Sequence, residues 1–318
     1  MPALEIQAFS NQHLEGAARL LEERHARHRA EEPLLREDAD FRAEVETLLA
    51  REGASGAAAL REGRVVGYLL GTRRDDSVWG PNVWVEAAGH AVEDAEDARD
   101  LYAVAAEVWV DQGRTRHYVL VPASDGALVD AWFCVGFGGQ HAHGIREVPA
   151  RTEVAVPDGF EIRHPEESAI EALIDLDLAL PRHQANAPVF SSRPLPSRDD
   201  SRQEWLDTLA GGDEEVLIGY LNDKPVACWA VTPIERSGEH TGLARPGRAA
   251  FLGFAVTLPE ARGSGIGVAL TDACFAWAAE HDYPTMVTDW RETNLLASRF
   301  WPRRGFRRMF LRLYRSIP

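Results

Sequence analysis

The sequence predicts two tandem α+β domains, residues 1–150 and 151–318, each a mixed, mostly antiparallel sheet flanked by helices. Three observations carry this. The chain reads twice through one order of elements, the mark of an internal repeat. Each half closes on an aromatic pair and then Gly-Phe: Trp132-Phe133 with Gly136-Phe137, and Phe300-Trp301 with Gly305-Phe306. Between the copies, Pro149, Pro157 and Gly159 interrupt the regular pattern, as residues that break helices and ladders do.

In the first half, Glu5-Ile6 opens a short strand leading into a helix over about 11–27, and a second apolar face gives a helix near Phe41–Arg51. Two strand-like runs follow, Ala57–Leu60 and Val65–Gly71, then a third at Asn82–Glu86. A long helix near Ala95–Gln112, a strand at Tyr118–Pro122 and a short helix complete the copy. The second half repeats the order: Glu161-Ile162, helices near 166–180 and 202–210, strands at Val216–Tyr220, Val226–Val231 and Ala249–Val256, a helix over Gly267–His281 and a strand at Thr285–Thr288. Ile266, Ala269, Leu270, Ala273 and Trp277 recur at three- and four-residue steps and predict the buried face of that long helix.

Composition narrows the function. A formal charge of −16 argues against nonspecific binding to nucleic acid or to an anionic membrane, since both need clustered cations. No run approaches a membrane span, and the N-terminus lacks a basic-then-apolar secretory pattern. Cys134, Cys228 and Cys274 are odd in number, widely spaced and in apolar settings, which reads as buried thiols in a reducing, cytoplasmic compartment. The charge is uneven: from Arg291 onward there are eight arginines and one acid, Glu292. A local basic patch on an acidic chain suits a compact polyanion. An arginine-rich solvated surface is the other reading.

The chemistry concentrates at Arg262-Gly263-Ser264-Gly265-Ile266-Gly267, between an apolar strand and a helix start. Helix N-termini leave backbone N–H groups unpaired and carry partial positive charge. Glycines let that backbone take positive φ and approach a phosphate closely. Ser264 can add a hydroxyl donor and Arg262 a fork of donors. Alone, the turn reads equally as a loop that merely reverses the chain. Downstream, Asn294 opens a helix, Pro302 is placed to end or kink it within its last turn, and Gly305 suits the left-handed position after it.

Together these residues resemble the GNAT-type acyl-CoA N-acyltransferase superfamily. Arg262, Gly265 and Gly267 fit its cofactor motif, with Pro259 three residues before; Asn294, Ala297, Trp301, Gly305 and Phe306 fit its later motif. The resemblance covers 160–318 well and 1–148 only in element order and the closing Gly-Phe. It implies tandem GNAT-like domains. It also implies that Gly263, Ser264, Gly265, Ile266, Gly267 and Val268 hold the acetyl-CoA pyrophosphate, and that the strand ending at Ala255-Val256 pairs with the pantetheine arm. Asn294 and Trp301 join Arg262 in the donor site. Two strands splay apart to admit the thioester, and the acyl group passes directly to an amine, with no metal.

Members of this family often carry a tyrosine acid seven residues after the asparagine. Here that position is Trp301, which leaves water or Ser298 to protonate the thiolate. Asp289, after the strand, is the expected general base, or alternatively a loop cap or a partner of Arg291. Glu292 and Glu235 are weaker candidates for the base. The segment from His183 to Trp205, with Pro188, Pro194, Pro196 and Phe190, is expected to cover the acceptor. Glu93–Asp100, the counterpart of the glycine turn, has five carboxylates and no glycine, so the first half is expected not to bind coenzyme A. His141 and His143 alternate as ligands on a strand face do, but no third ligand is evident nearby. The expected activity is acetyl transfer to a small, cationic amine by a monomer or homodimer, without nucleic acid or membrane. A noncatalytic acyl-CoA sensor is the alternative, and an interaction module the third.

Overall fold

In the computed structural model, residues 3–76, 79–191, 194–212 and 214–318 are described. The first copy runs β1 (Glu5–Ala8), α1 (Leu14–Glu31), α2 (Phe41–Leu49), β2 (Ala54–Arg61), β3 (Arg64–Asp76), β4 (Gly80–Val85), β5 (His90–Val92), α3 (Asp97–Asp111), β6 (Arg116–Pro122), α4 (Gly126–Cys134) and β7 (Gly138–Glu147). The second runs β8 (Phe160–Arg163), α5 (Ile170–Gln184), α6 (Arg198–Gly211), β9 (Glu215–Leu221), β10 (Lys224–Pro233), β11 (Ala249–Thr257), α7 (Ile266–Glu280), β12 (Thr285–Arg291), α8 (Ala297–Arg303) and β13 (Arg307–Ser316).

Local chemistry sets the helix ends. Asp40 caps α2 by accepting from the Ala43 amide, and Asp125 caps α4 by accepting from Leu128. Ser197 and Asp200 form a reciprocal capping box on α6, which ends at Gly212 with φ 68°.

Residues cluster into two compact units that interleave along the chain: one holds Met1–His143, Thr241–Gly247 and Arg308–Pro318, the other Gly144–His240 and Arg248–Arg307. These differ from the linear halves because the final strands are exchanged. In the first unit the order is β1-β2-β3-β4-β6-β13, with β5 paired to β3. There β13 runs antiparallel to β6, from Phe310 opposite Pro122 to Ser316 opposite Arg116. Leu313 thereby joins a core of Leu101, Trp109, Val119, Val121 and Trp132. In the second unit the order is β12-β11-β10-β9-β8, and residues 144–147 of β7 lie on its β12 side. Its core on the α5 face gathers Leu173, Leu176, Trp205, Ile218, Cys228 and Val256.

Most ladders are antiparallel, but β4 with β6 and β11 with β12 run parallel. Each parallel pair is joined by a helical crossover: α7 follows β11 after a short turn, whereas β5 intervenes between β4 and α3.

Three expectations are corrected. The buried face of α7 is Ile266, Ala269, Leu270, Thr271, Cys274, Phe275 and Ala278, with Ala273 and Trp277 only half-buried. At about 100° per residue Ala273 and Trp277 share the Ile266 direction, whereas the buried face is centred on Leu270 and Cys274, so Ile266 marks its edge. Cys134 is exposed, whereas Cys228 and Cys274 are buried thiols. β12 extends to Arg291, so Asp289 lies within the strand. Among the described residues, no helix is long and apolar enough to cross a membrane.

Candidate functional site

β11 ends at Thr257, and Pro259 opens a single 3-10 turn over Pro259–Ala261. The next residues alternate in sign of φ: Gly263 is at 79°, Ser264 is negative, and Gly265 is at 89°. Side chains rarely adopt such positive values, and alternation of this kind turns successive N–H groups toward one concavity. Gly265 is the N-cap of α7, and its carbonyl accepts from the Val268 and Ala269 amides at 3.0 Å. The amides before them have no intrahelical acceptor, as at any helix start. No acid stands in the first turn of α7 to offset its positive end. At Gly263 an added Cβ would meet nothing within 4 Å, so the approach is open.

Ser264 and Arg262 brace this turn from within. Ser264 Oγ donates to the Ala261 carbonyl at 2.7 Å, and Arg262 Nε donates to the Thr257 carbonyl at 2.9 Å. Arg262 is otherwise exposed, leaving its terminal nitrogens at the surface beside the cradle.

The two strands before the cradle part company. The β11–β12 ladder ends at Leu252 opposite Thr288, whose hydroxyl donates to the Leu252 carbonyl at 2.9 Å. Both strands continue, to Thr257 and Arg291. The cause lies on the other edge of β11. There Val231 pairs with Leu252 but Ala230 pairs with Phe254, so Gly253 is an extra residue. A bulge bends its strand and increases local twist, and this one falls one residue past the last β12 pair. Ala255, half-buried, and Val256, buried, lie on the stretch that diverges.

Alternation along β12 sorts its end. Trp290 points toward Phe306, since both crowd the position where a Cβ on Gly144 would stand. Asp289 and Arg291 take the other face. Arg291 Nη2 reaches Ser191 Oγ at 3.4 Å in the loop after α5, so this is the α5 face. His183, near the end of α5, brings Nε2 to 3.4 Å from Asn294 Oδ1. The expected acceptor segment therefore touches the end of β12; its Ser192 and Arg193 lie outside the described residues.

Asn294 is buried, and its Oδ1 accepts from the Leu296 and Ala297 amides at 3.2 and 3.4 Å, capping α8. Ser298 is half-buried in the first turn of α8. Trp301 is 5% exposed and packs with Trp229, Phe300 and Phe306 at ring separations of 5.3, 5.0 and 5.4 Å. The ring that stands where a tyrosine acid was sought is a core side chain. Sequence reasoning did not single out His183 as a neighbour of Asn294, nor exposed Leu295 and Leu296, nor Trp229. Two adjacent leucines ahead of a helix were a readable signal; the placement of Trp229 was not. A cavity of about 1050 Å³ lined by Val156, Phe160, Leu217, Trp277 and Tyr283 contains none of the cradle residues.

In the first unit the corresponding place is occupied by the protein itself. Asp97, at the start of α3, is held by both terminal nitrogens of Arg61 at 2.7 and 2.6 Å, and Glu93 pairs with Arg64 and Arg19. The β4–β6 ladder ends at Val85 opposite Val119. Beyond it, His90 Nε2 bonds the Leu120 carbonyl at 2.9 Å. Arg24, buried on α1, donates to the carbonyls of His90 and Ala87, both at 2.5 Å, and Tyr68 donates to Ala88 at 2.7 Å. Burial, with Arg24 alongside, pushes the His90 imidazole down to about 3, so the bridge is neutral. His141 and His143, buried on β7, meet ring to ring at 6.0 Å.

A helix start with alternating glycines thus stands beside two diverging parallel strands, a geometry able to receive an anion next to an extended arm. Residues 181–306 match the model of the Acetyltransferase (GNAT) family. Among solved structures, a GCN5-related N-acetyltransferase from Sphaerobacter thermophilus is 12% identical with a TM-score of 0.60, covering 98% of this chain and 95% of its own. A GCN5-related glucosamine N-acetyltransferase region of a fungal multi-domain β-N-acetylglucosaminidase is 14% identical with a TM-score of 0.54; 99% of this chain is covered but only 38% of that one. A tandem GNAT protein from the clavulanic acid biosynthesis pathway is 15% identical with a TM-score of 0.49, covering 99% and 98%. At these identities the first two likenesses establish the fold, over nearly the whole chain. No curated protein sequence matches.

Proposed function

We propose that the second unit is an acetyl-CoA-dependent N-acetyltransferase acting directly on a small, cationic amine, and that the first unit binds no coenzyme A. The observation that carries this is the juxtaposition of the Gly263–Gly265 cradle with the opening of β11 from β12 one residue before the Gly253 bulge. Acetyl-CoA, when bound, supplies an activated acyl group on a stable thiolate leaving group.

The chain's own residues then have modest tasks. Backbone amides from Gly263 to Val268, with the terminal nitrogens of Arg262, hold the pyrophosphate. Ala255 and Val256 offer backbone to the pantetheine arm. Asn294 fixes the start of α8, and Trp301 packs that helix against the slot. Asp289, on the α5 face, accepts the proton that the ammonium of the acceptor must lose before its nitrogen can attack. Ser298, on α8, relays a proton to the departing thiolate through water. An overall charge of −16 favours a cationic acceptor.

For the first unit, the support is that Asp97 and Glu93 already occupy the arginines that an anion would seek. His90 and Arg24 fill the opening past Val85. A noncatalytic acyl-CoA sensor is the second reading, favoured by the burial of Trp301 where an acid was sought. Calorimetry with acetyl-CoA followed by thiol release across an amine panel separates the two. One molecule bound per chain with thiol released for at least one cationic amine is expected; binding without turnover on any amine overturns the enzyme reading.

A further inference from the structure

Trp229 sits on β10 opposite Ala255 of β11. Its ring is 3% exposed and meets Trp301 and Phe300 of α8 at 5.3 and 5.9 Å. Its Cζ2 lies 3.7 Å from where a Cβ on Gly267 would stand, in the first turn of α7. A ring rooted on β10 that touches both α8 and the start of α7 must pass over β11 at Ala255. That is the stretch of β11 whose β12 ladder has already ended.

In this position the indole Nε1 is buried and has no hydrogen-bond partner. Buried donors without acceptors are rare, because hydration lost on folding is not returned. A phenylalanine would pack against the same rings without that penalty, so the N–H is available to a ligand. An arm carrying amide and thioester carbonyls along β11 would bring it an acceptor.

We infer that Trp229 Nε1 donates a hydrogen bond to a carbonyl oxygen of the acyl-pantetheine arm, making Trp229 a donor-positioning side chain. This rests on the acetyl-CoA reading above. The donor proposed is the indole N–H and not a backbone amide of the cradle, although the ring lies against Gly267.

The test uses the full chain labelled with ¹⁵N-tryptophan. The Trp229 indole signal is identified by its absence in Trp229→Phe. It should move downfield on titration with acetyl-CoA, and stay in place with the nucleotide part of coenzyme A alone. By calorimetry, Trp229→Phe should weaken acetyl-CoA binding about three- to tenfold, the effect of one neutral hydrogen bond, and leave the affinity for the nucleotide part unchanged. Phe306→Leu, which loosens the same aromatic cluster but keeps the donor, should preserve the ratio of the two affinities. If the unaltered protein binds acetyl-CoA while the Trp229 signal stays put, the N–H is held by a neighbouring ring or an internal water, and the inference is overturned with the cradle intact. If the unaltered protein binds neither ligand, the acetyl-CoA reading fails as well.

Discussion

Acidification should dismantle the first unit well before carboxylates titrate, because its interior holds neutral histidines. His28 and His90 are 3% and 2% exposed, and burial together with the charge of Arg24 pushes each down to about 3. His117, 1% exposed and bonded to the Tyr102 hydroxyl and the Arg114 carbonyl, is pushed down to about 4, again chiefly by burial. In the unfolded chain a histidine titrates near 6.5. Folded values below unfolded ones mean that the unfolded state binds more protons, so stability is present above about pH 6.5 and is lost as pH falls. Between pH 7 and 5 each such group costs about 2 kcal/mol, and the three together roughly 6 kcal/mol. Glu44, raised by burial, runs the other way and offsets a small part. Whole domains are stable by about 5–15 kcal/mol, so the predicted loss takes much of that margin.

The assay is urea unfolding at pH 7, 6 and 5, followed by circular dichroism. His28 sharpens it. Its ring sits edge-on to Phe310 at 4.8 Å, with the Met309 backbone as its one hydrogen-bonding neighbour. His28→Leu should therefore cost no more than about 1 kcal/mol at pH 7, and should flatten the acid slope by about 1.4 kcal/mol per pH unit. A change below about 2 kcal/mol in the unaltered protein between pH 7 and 5 would refute the reasoning, since at most one of the three could then be neutral and buried.

Gly265→Val puts a β-branched side chain at φ 89°, a strain of about 1–3 kcal/mol; it should cut acetyl-CoA affinity at least about tenfold, and unchanged calorimetric affinity would remove the cradle. Asp289→Asn should lower kcat by about a hundredfold with the KM for acetyl-CoA nearly constant, and should alter the pH–rate profile; a superimposable profile would mean that Asp289 is not the base. Asn294→Ala removes the cap on α8, costing about 1 kcal/mol by thermal melting, and should raise the KM for acetyl-CoA more than it lowers kcat. Equal loss in both would point to a role beyond holding that helix.

The two units show why part of this was legible in the sequence and part was not. A cradle is local: two glycines, a serine and a helix start lie within six residues, and backbone conformation follows from their identities. Asp97 and Glu93 were legible in the same way, as carboxylates where donors should be free, although their partners Arg61, Arg64 and Arg19 come from elsewhere. Strand exchange was illegible, because periodicity in β13 specifies a half-buried strand without saying which sheet receives it. Only the ladder to β6 decides that. The plug at His90 was hidden for a related reason: Arg24 lies 66 residues away in sequence, and nothing local marks it as buried. Trp301 was legible in register but not in packing. Its register matched a functional position, while its packing partners Trp229, Phe300 and Phe306 belong to the core. Motif spacing fixes where along the chain a residue stands, whereas the rotation of its helix against neighbouring strands fixes what it faces. That is why the glycine turn could be read from the chain in advance and the meeting of β12, α5 and α8 could not: backbone conformation is encoded locally, whereas side-chain neighbours converge from distant segments.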